Sequence, residues 1–254
     1  GLIQLAGKIK ALGGDVNGMS YDVNAWPDDW LFQGMIYQLG GKLVEPGTKK
    51  VGFNNAVGLQ ALKTMRRFVT DGGMQLVDWD QSRQQFGAGK TGILFSTPAH
   101  LKIVTDMVGT KFDWSTARFP LDNKTTGGVP TGGNAVVMMA KDPAKQKAAW
   151  EYIKFATGPQ GATAMVKGTG YFPANTLPAT DPNLLAPFYK ANPNHLTAIA
   201  QMPVLTAMYA FPGDKGFKIT DVIKDHLQTV VSQEVQPAVA LSEMSKAVQA
   251  LLPR

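Results

Sequence analysis

The segment 86–100, FGAGKTGILFSTPAH, sets strict limits on how this chain can fold. A glycine-rich turn leads into the apolar run ILF, and Ser96, Thr97 and Pro98 follow it. A short apolar run between turn residues is typical of a strand that is buried on both faces. Hydroxyl side chains followed by proline predict that a helix begins where the strand ends. The segment therefore favours an α/β fold, in which a strand delivers small polar groups and helix N–H groups to a ligand.

The same letters match only part of a nucleotide-binding P-loop. Gly89, Lys90 and Thr91 fit the last three positions of that motif, but Gln84 occupies the position of its first glycine. The glycines of a P-loop also follow a strand, whereas these glycines precede one. We therefore interpret Gly89 and Lys90 as a turn that feeds the strand.

Composition excludes several classes of protein. Hydrophobic residues make up 44% of the 254 residues and charged residues 17%, as in a globular chain with a sizeable core. Every apolar run is too short to span a bilayer. The chain has no cysteine, and its three histidines lack metal-ligand spacing, so we expect no disulfide, no metal site and no cofactor.

The net charge of +6 does not indicate a nucleic-acid partner. Basic residues are scattered, and the two adjacent pairs, 49–50 and 66–67, lack the aromatic or arginine-rich surroundings of nucleic-acid surfaces. We interpret these charges as solvated faces. Lys8 and Lys10 interrupt the first apolar residues, so the first residues are not expected to be a signal peptide.

Segments with helical periodicity alternate with short apolar runs. Helices are predicted at 2–12 and 26–39, each ending at a glycine pair, and strands at 112–119 and 135–140. Another helix, from 56 onward, is predicted to be capped by an asparagine at position 54 or 55. The alternation makes the fold α/β, but it fails after residue 140, so one doubly wound sheet fits the chain poorly.

Six segments carry a family resemblance when they are taken in order. They are the helix start at 26–30 with LGGKLV after it, VGFNNAVGLQALKTMRRFV, FGAGKTGILF, GGNAVVMMAKDPAKQKAAWEYIKFATGPQG, GTGYFPA, and the helix after Gln236 and Pro237. Together they resemble family 1 of the bacterial extracellular solute-binding proteins, which serve ABC importers and include maltose-binding and glycerol-3-phosphate-binding proteins. The resemblance implies a periplasmic-binding-protein type II fold, in which two α/β lobes with a crossing chain close over a ligand.

The resemblance also implies how the chain is divided. It begins well inside the length of the family's proteins, so an N-terminally incomplete chain is expected, with most of the first lobe missing. Residues 1–118 resemble the first part of the C-terminal lobe, and 122–169 resemble a segment that returns to the N-terminal lobe. Residues 173–254 resemble the remainder of the C-terminal lobe with its C-terminal helices.

Three residues near the start of the second helix are ligand-binding candidates. Trp26 and Trp30 are four residues apart and would share a helix face. The resemblance implies that one or both stack on a sugar or polyol, and packing in the core is the alternative. Asp28 is placed like an acidic ligand contact of the sugar binders, but Asp28 and Asp29 also suit the positive end of the helix dipole.

The remaining candidates are small residues and one tyrosine: Ser96, Thr97, Gly132, Gly133, Asn134 and Tyr171. The resemblance implies that the hydroxyls and the phenol contact the ligand. It also implies that the Gly-Gly-Asn turn presents backbone N–H groups with no Cβ in the way. The alternatives are helix capping for the hydroxyls, a tight turn for the glycines, and packing for the tyrosine.

By resemblance, the chain is the substrate-binding component of an ABC importer. It would capture a carbohydrate or polyol by closure of two lobes, make or break no bond, and work as a monomer with membrane permease subunits. Its location would be periplasmic or extracellular, with membrane association through the permease.

Three alternatives stay open. Glycerol-3-phosphate or a glycerophosphodiester is the first, although only Lys215 and Lys218 lie near the position where that branch has an arginine. A hydrolase that uses Asp28 and Asp80 is the second, although the sequence has no nucleophile elbow and no metal motif. The third is that these residues alone bind no ligand.

Overall fold

A computed structural model describes residues 1–21, 29–121, 128–133 and 135–253. The chain forms two compact units, each built from separated stretches of sequence. The first unit comprises Gly1–Phe95, Phe119–Thr131 and Val204–Arg254, and the second comprises Ser96–Arg118 and Gly132–Pro203. Within the described ranges no helix is both long enough and apolar enough to cross a membrane.

The first unit combines helices with short strands. Its helices are α1 (Leu2–Lys10), α2 (Trp30–Gln38), α3 (Ala56–Thr70), α4 (Trp79–Gly87), α11 (Gly216–Val231) and α12 (Pro237–Leu251). Its strands are β1 (Asn17–Ser20), β2 (Thr91–Leu94), β3 (Val129–Thr131) and β4 (Leu205–Ala207). The strands form two parallel pairs, β1 with β2 and β3 with β4.

The helices of the second unit are α5 (Leu101–Val108), α6 (Pro143–Thr157), α7 (Pro159–Thr169), α8 (Leu177–Thr180), α9 (Ala186–Ala191) and α10 (Leu196–Gln201). Short 3-10 helices lie at Pro98–His100, Pro193–His195 and Met202–Val204. Among the residues described in this unit, none belongs to a strand.

The predicted strand within 86–100 is confirmed as β2. It pairs with β1 in parallel, with Asn17 opposite Thr91, and the backbone N–H of Phe95 continues the ladder by donating to the Ser20 carbonyl at 2.9 Å. Parallel neighbours need a long crossover, which the helices between them provide. All residues of β1 are buried, whereas only the first residue of β2 is, so burial on both faces applies to β1 alone.

The centre of β1 leaves no room for a side chain. A Cβ at Gly18 would lie 2.2 Å from the carbonyl oxygens of both Ala6, in α1, and Gly72, after α3. Contacts this short do not occur between real atoms, so the glycine allows the strand to pass between two stretches of backbone.

Helices α3, α11 and α12 pack together and bury most of the apolar core of the first unit. The predicted N-cap of α3 is Asn55, whose Oδ1 accepts hydrogen bonds from the N–H groups of Val57 at 2.9 Å and Gly58 at 3.3 Å. The end of the chain is fixed to the same unit, because the Gln249 side chain binds both the Lys49 carbonyl and the Val51 N–H. The largest fully buried side chains of these helices are Leu62, Met65, Ile219, Ile223, Leu227 and Met244.

The second unit has a much smaller core. Its cluster of buried apolar side chains consists of Val166, Leu185 and Tyr189. Helix α6 has no buried residue, although its sequence contains three aromatic side chains. The second unit therefore buries far less apolar surface than the first.

Two sequence predictions about this unit are wrong. Neither 112–119 nor 135–140 forms a strand, and the latter run is not buried. Val136, Val137 and Met139 are 49%, 71% and 83% exposed. An apolar run becomes a buried strand only when other strands pair with it, and the described residues of this unit include none. It stays a prediction that the family's lobes correspond to the ranges 1–118, 122–169 and 173–254.

The small core of the second unit contains a histidine without a polar partner. His195 is buried against the ring of Phe188, with a centroid distance of 4.8 Å, and its Nδ1 has no hydrogen-bond partner among the described residues. Burial lowers the pKa of His195 below its usual value of 6.5, because the charged form loses solvation.

We expect acid to destabilise the second unit through this histidine. As the pH falls below about 6.5, the unfolded chain binds a proton that the folded unit binds only at lower pH. Stability is therefore complete above that pH and is lost as the pH falls toward the lowered pKa. Hydrogen exchange of the α9 and α10 amides, measured at pH 7 and pH 5, checks this. In His195→Leu the pH dependence should be reduced, and an unchanged slope would contradict the assignment.

Candidate functional site

Three of the predicted ligand contacts, Trp26, Asp28 and Asn134, lie outside the described residues. The others fall into both units. Trp30 belongs to the first unit, and the second contains the residues Ser96, Thr97, Gly132, Gly133 and Tyr171.

Asp29, directly before α2, is completely buried. Its Oδ2 accepts a hydrogen bond of 2.7 Å from Gln33 Nε2, one helical turn later, and it does not cap the helix. Gln33 Oε1 in turn accepts from the backbone N–H of Tyr209 at 2.8 Å. This chain of hydrogen bonds holds the carboxyl group in place within the first unit.

The other oxygen of this carboxyl group is unsatisfied. Asp29 Oδ1 is buried and has no hydrogen-bond partner among the residues that the structure describes. Burial raises the pKa of Asp29 to about 6, and the hydrogen bond from Gln33 only partly opposes this effect. The group is a hydrogen-bond acceptor with unused capacity, and it titrates near neutral pH.

Trp30, the next residue, has an unsatisfied donor. Its side chain is half-buried, and its Nε1–H is buried without a partner in the described ranges. A buried polar group that lacks a hydrogen bond costs about 1–3 kcal/mol. Consecutive residues therefore carry one buried acceptor and one buried donor that no described residue satisfies, which simple core packing does not explain.

The sequence ranked Asp28 above Asp29 as a ligand contact, and it missed the burial of Asp29. The signal that could have found it is the glutamine four residues later, on the same helix face. Asp80, the other carboxylate considered for hydrolysis, forms an ion pair with Arg83 and is largely exposed. Among the described residues, no group of three or more acidic or histidine side chains could hold a metal ion.

In the second unit, Ser96 and Thr97 lie directly before the 3-10 helix at 98–100. Thr97 Oγ1 accepts from the backbone N–H of Ala99 at 3.3 Å, so this residue caps the helix, as its sequence position also predicted. Ser96 is exposed, and its Oγ lies 3.3 Å from Nδ1 of His100. The Ser96 hydroxyl is therefore the more accessible of the two.

Tyr171 is placed beside this turn by the end of α7. Gly170 is the C-cap of α7 and has a φ of +103°. A Cβ at this residue would lie 2.5 Å from the Pro98 carbonyl oxygen. The backbone after α7 thus touches the backbone that follows Thr97 directly. The segments that contain two predicted contacts, Thr97 and Tyr171, therefore meet at Pro98 and Gly170, although they are distant in sequence.

Gly132 and Gly133 are both exposed. A Cβ at Gly133 would meet no atom within 4 Å, and its φ is not in the left-handed region. Neither packing nor a tight turn within the described chain requires a glycine at this position.

Comparison with known proteins identifies the kind of protein to which these residues belong. Residues 1–197 match the family model for bacterial extracellular solute-binding proteins. No curated protein sequence matches the chain.

Several solved structures share its fold at low sequence identity. UgpB from Mycobacterium tuberculosis, in complex with glycerophosphocholine, is 19% identical over 95% of this chain and 60% of its own, with a TM-score of 0.79. A solute-binding protein from Thermotoga lettingae, bound with α-D-tagatose, is 20% identical over 99% of this chain and 64% of its own, with a TM-score of 0.80. Maltose-bound MalE3 from T. maritima is 18% identical over 99% of this chain and 64% of its own, with a TM-score of 0.79.

These comparisons confirm the α/β fold of the periplasmic-binding-protein type II class. The chain spans 60% to 64% of the length of these three solved proteins. The match to the family model covers well over half of the chain. The chain belongs to the family of bacterial extracellular solute-binding proteins.

Proposed function

We propose that this chain is part of the substrate-binding component of an ABC importer that captures a carbohydrate or polyol. The observation that carries the proposal is a pair of buried groups at consecutive residues, Asp29 Oδ1 and Trp30 Nε1, that have no hydrogen-bond partner among the described residues of a chain from a solute-binding family. A hydroxyl group can donate to a carboxylate and accept from an indole N–H, and a sugar carries several such groups. The half-buried indole ring also suits the C–H face of a sugar.

The second unit supplies accessible polar groups of the same kind. Ser96 has an exposed hydroxyl, the Tyr171 segment lies beside the Pro98 turn, and Gly133 has open space where a side chain would be. Such groups make neutral hydrogen bonds, as expected for a polyhydroxylated ligand. Trp26, Asp28, Gly132 and Asn134 complete the proposed set, and Thr97 contributes when its hydroxyl is not occupied in capping.

Transport follows from conformational selection and not from bond chemistry. The ligand stabilises the closed form of two lobes, and the permease subunits recognise that form. The protein works as a monomer outside the cytoplasmic membrane, contacts the membrane through the permease, and catalyses no reaction.

A glycerophosphodiester is the second candidate, because UgpB was solved with glycerophosphocholine. Phosphate recognition needs cations or helix N–H groups near the anion. Lys215 and Lys218 are exposed at the start of α11 and could serve this purpose. The neutral ligand ranks first because the unpartnered groups of α2 include a carboxylate, which repels a phosphate.

Calorimetric titration tests the proposal. The complete protein encoded by the reading frame, and separately the 254-residue chain, are titrated with maltose, D-tagatose, glycerol, glycerol 3-phosphate and glycerophosphocholine. We expect heat from a neutral sugar or polyol with the complete protein. Heat from the phosphates alone would support the second candidate, and no heat from any compound would contradict both. Heat from the complete protein but none from the 254 residues would mean that other parts of the polypeptide are required.

The role of the α2 tryptophan is tested with a matched pair of variants. We expect Trp30→Ala to weaken sugar binding by at least about tenfold, because it removes one stacking surface and one hydrogen-bond donor. Trp79→Ala removes a half-buried tryptophan of α4 that contacts Arg83 and should leave the affinity unchanged. Equal affinities for Trp30→Ala and the unmodified protein would remove Trp30 from the site.

A further inference from the structure

The side-chain amide of Gln33 has only one possible orientation. Its Oε1 accepts from the backbone N–H of Tyr209 at 2.8 Å, and a backbone nitrogen can only donate. The amide oxygen must therefore face Tyr209, and Nε2 must face Asp29, where it donates to Oδ2 at 2.7 Å. Gln33 is completely buried, so water offers its amide no alternative partner.

This fixed donor gives the two oxygens of the Asp29 carboxyl group different roles. Oδ2 has to accept from Gln33 whether the group is charged or neutral, and in a neutral carboxyl group the carbonyl oxygen is the better acceptor. A proton on Asp29 is therefore carried by Oδ1, the oxygen that has no partner among the described residues. Oδ1 is an acceptor when the group is charged and becomes a donor when it is protonated.

Trp30 makes this change important for recognition. Its Nε1–H is buried without a partner in the described ranges, and an indole nitrogen can only donate. With Asp29 charged, the two residues offer one acceptor and one donor, which suits the hydroxyl groups of a neutral molecule. With Asp29 protonated, they offer two donors and no negative charge, which suits the oxygens of an anion.

The surroundings of Asp29 place this change near neutral pH. Burial raises the pKa of Asp29 to about 6, whereas the Gln33 amide and the backbone N–H of Asp29 itself lower it. Burial also raises the pKa of Tyr37, on the same helix, to about 12, with smaller effects from Tyr209 and Asp29. Tyr37 therefore stays neutral while Asp29 titrates.

The elements packed against α2 are α3 and β3, and their charges are exposed or engaged elsewhere. Strand β3, with the sequence VPT, has no charged residue. In α3, Lys63 is exposed, Arg66 donates to the Val235 carbonyl, and Arg67 forms an ion pair with an aspartate at the end of its own helix. No cation of these described elements pairs with Asp29.

We propose that Gln33 is a positioning residue that confines the proton of Asp29 to Oδ1, and that this proton selects the class of ligand at the start of α2. The charged form takes a neutral polyol, and the protonated form also accepts an oxyanion such as a phosphodiester. The selection of ligand rests on the proposed function, whereas the position of the proton does not. Asp29→Asn fixes the second state, because the amide oxygen must accept from Gln33 and the NH2 group then replaces the protonated Oδ1.

NMR of the ligand-free complete protein tests the position of the proton. The carboxyl carbon of Asp29 should titrate near pH 6, and the Gln33 Nε2–H protons should stay hydrogen-bonded and protected from exchange at both pH 5 and pH 7.5. Loss of this protection at pH 5 would show that the proton sits on Oδ2 and would overturn the proposal. This measurement needs no variant.

A matched pair of glutamine variants tests the role of Gln33. Gln33→Met removes the fixed donor from a side chain of similar length, and the midpoint of the Asp29 titration should rise by at least about 0.5 pH unit. Gln60→Met, at an exposed position of α3, is the control and should leave the midpoint unchanged. A midpoint in Gln33→Met equal to that of the unmodified protein would remove Gln33 from this role.

Two probes test the selection of ligand. Calorimetry gives the affinities of the complete protein for maltose and for glycerophosphocholine, a phosphodiester whose charge does not change between pH 5 and pH 7.5. We expect the ratio of the maltose affinity to the glycerophosphocholine affinity to fall at least about fivefold from pH 7.5 to pH 5. In Asp29→Asn the ratio should already be low at pH 7.5 and should not change with pH.

The outcomes separate this proposal from the proposed function. Binding of both probes at a ratio that does not change with pH, or no binding of glycerophosphocholine at pH 5, would leave the proposed function intact and refute the selection. A ratio in Asp29→Asn that changes as in the unmodified protein would refute it as well. If neither probe binds at either pH, the proposed function and the selection both fail, and the NMR titration alone decides the position of the proton.

Discussion

Gly18→Ala is expected to destabilise the first unit by more than about 3 kcal/mol. The added Cβ would lie 2.2 Å from two backbone carbonyl oxygens, those of Ala6 and Gly72. Neither oxygen belongs to a flexible side chain, so relief requires β1 to separate from α1 or from the end of α3. Urea denaturation followed by circular dichroism, with hydrogen exchange of the β1 and β2 amides, measures the change.

Gly168→Ala is the matched control for this substitution. Gly168 lies in α7, is exposed, and has no atom within 4 Å of an added Cβ. Since alanine favours helix over glycine, this variant should gain up to about 1 kcal/mol. Similar free energies of unfolding for Gly18→Ala and the unmodified chain would show that β1 does not pass between those carbonyl groups.

Asp29→Asn is expected to stabilise the first unit near neutral pH by about 3 kcal/mol. In the folded chain burial raises the pKa of Asp29 from 3.8 to about 6. Between these values the folded state keeps a proton that the unfolded chain releases, so the free energy of unfolding falls as the pH rises from about 4 to about 6. Asparagine keeps the acceptor for Gln33 and carries no charge, so it avoids this loss.

The pH dependence distinguishes this mechanism from a general effect of the substitution. The difference between Asp29→Asn and the unmodified chain should be largest at pH 7.5 and should vanish near pH 3.5. Asp214→Asn, at an exposed aspartate of the same unit, controls for loss of one negative charge. A stability difference that is the same at both pH values would contradict the burial of a charged carboxylate.

The pH responses of the two units are therefore expected to have opposite signs. Deprotonation of Asp29 weakens the first unit as the pH rises from about 4 to 6, whereas protonation of His195 weakens the second as the pH falls below about 6.5. Measurements that report on the whole molecule would average these effects. Segment-resolved hydrogen exchange keeps them apart.

Local patterns predicted the elements that depend on neighbours in sequence. The strand before Ser96, the cap at Asn55 and the turn at Gly89 each follow from a few consecutive residues, and the structure contains all three. The same reasoning placed a buried strand at 135–140, but a strand also needs partner strands, and the described residues of this unit contain none.

The sequence predicts the chemical type of the candidate site, which stays a prediction, but not the surroundings of each residue. Tryptophan next to acidic residues predicts a polar, ring-lined site, but it does not predict that Asp29 is buried. That burial depends on the fold, because the Gln33 amide that holds Asp29 also accepts a hydrogen bond from the backbone N–H of Tyr209. Likewise, the contact between Gly170 and Pro98 joins segments that the sequence gives no reason to place together.

The division of the first unit among three stretches of the chain has a consequence for synthesis. Its core needs α11 and α12, and Gln249 near the end of the chain binds the backbone at Lys49 and Val51. While a ribosome is still making residues 204–254, α3 lacks its partners α11 and α12, and the apolar core cannot close. We therefore expect this unit to fold only after residues 204–254 have been made, so that any shorter nascent polypeptide stays in a loose form.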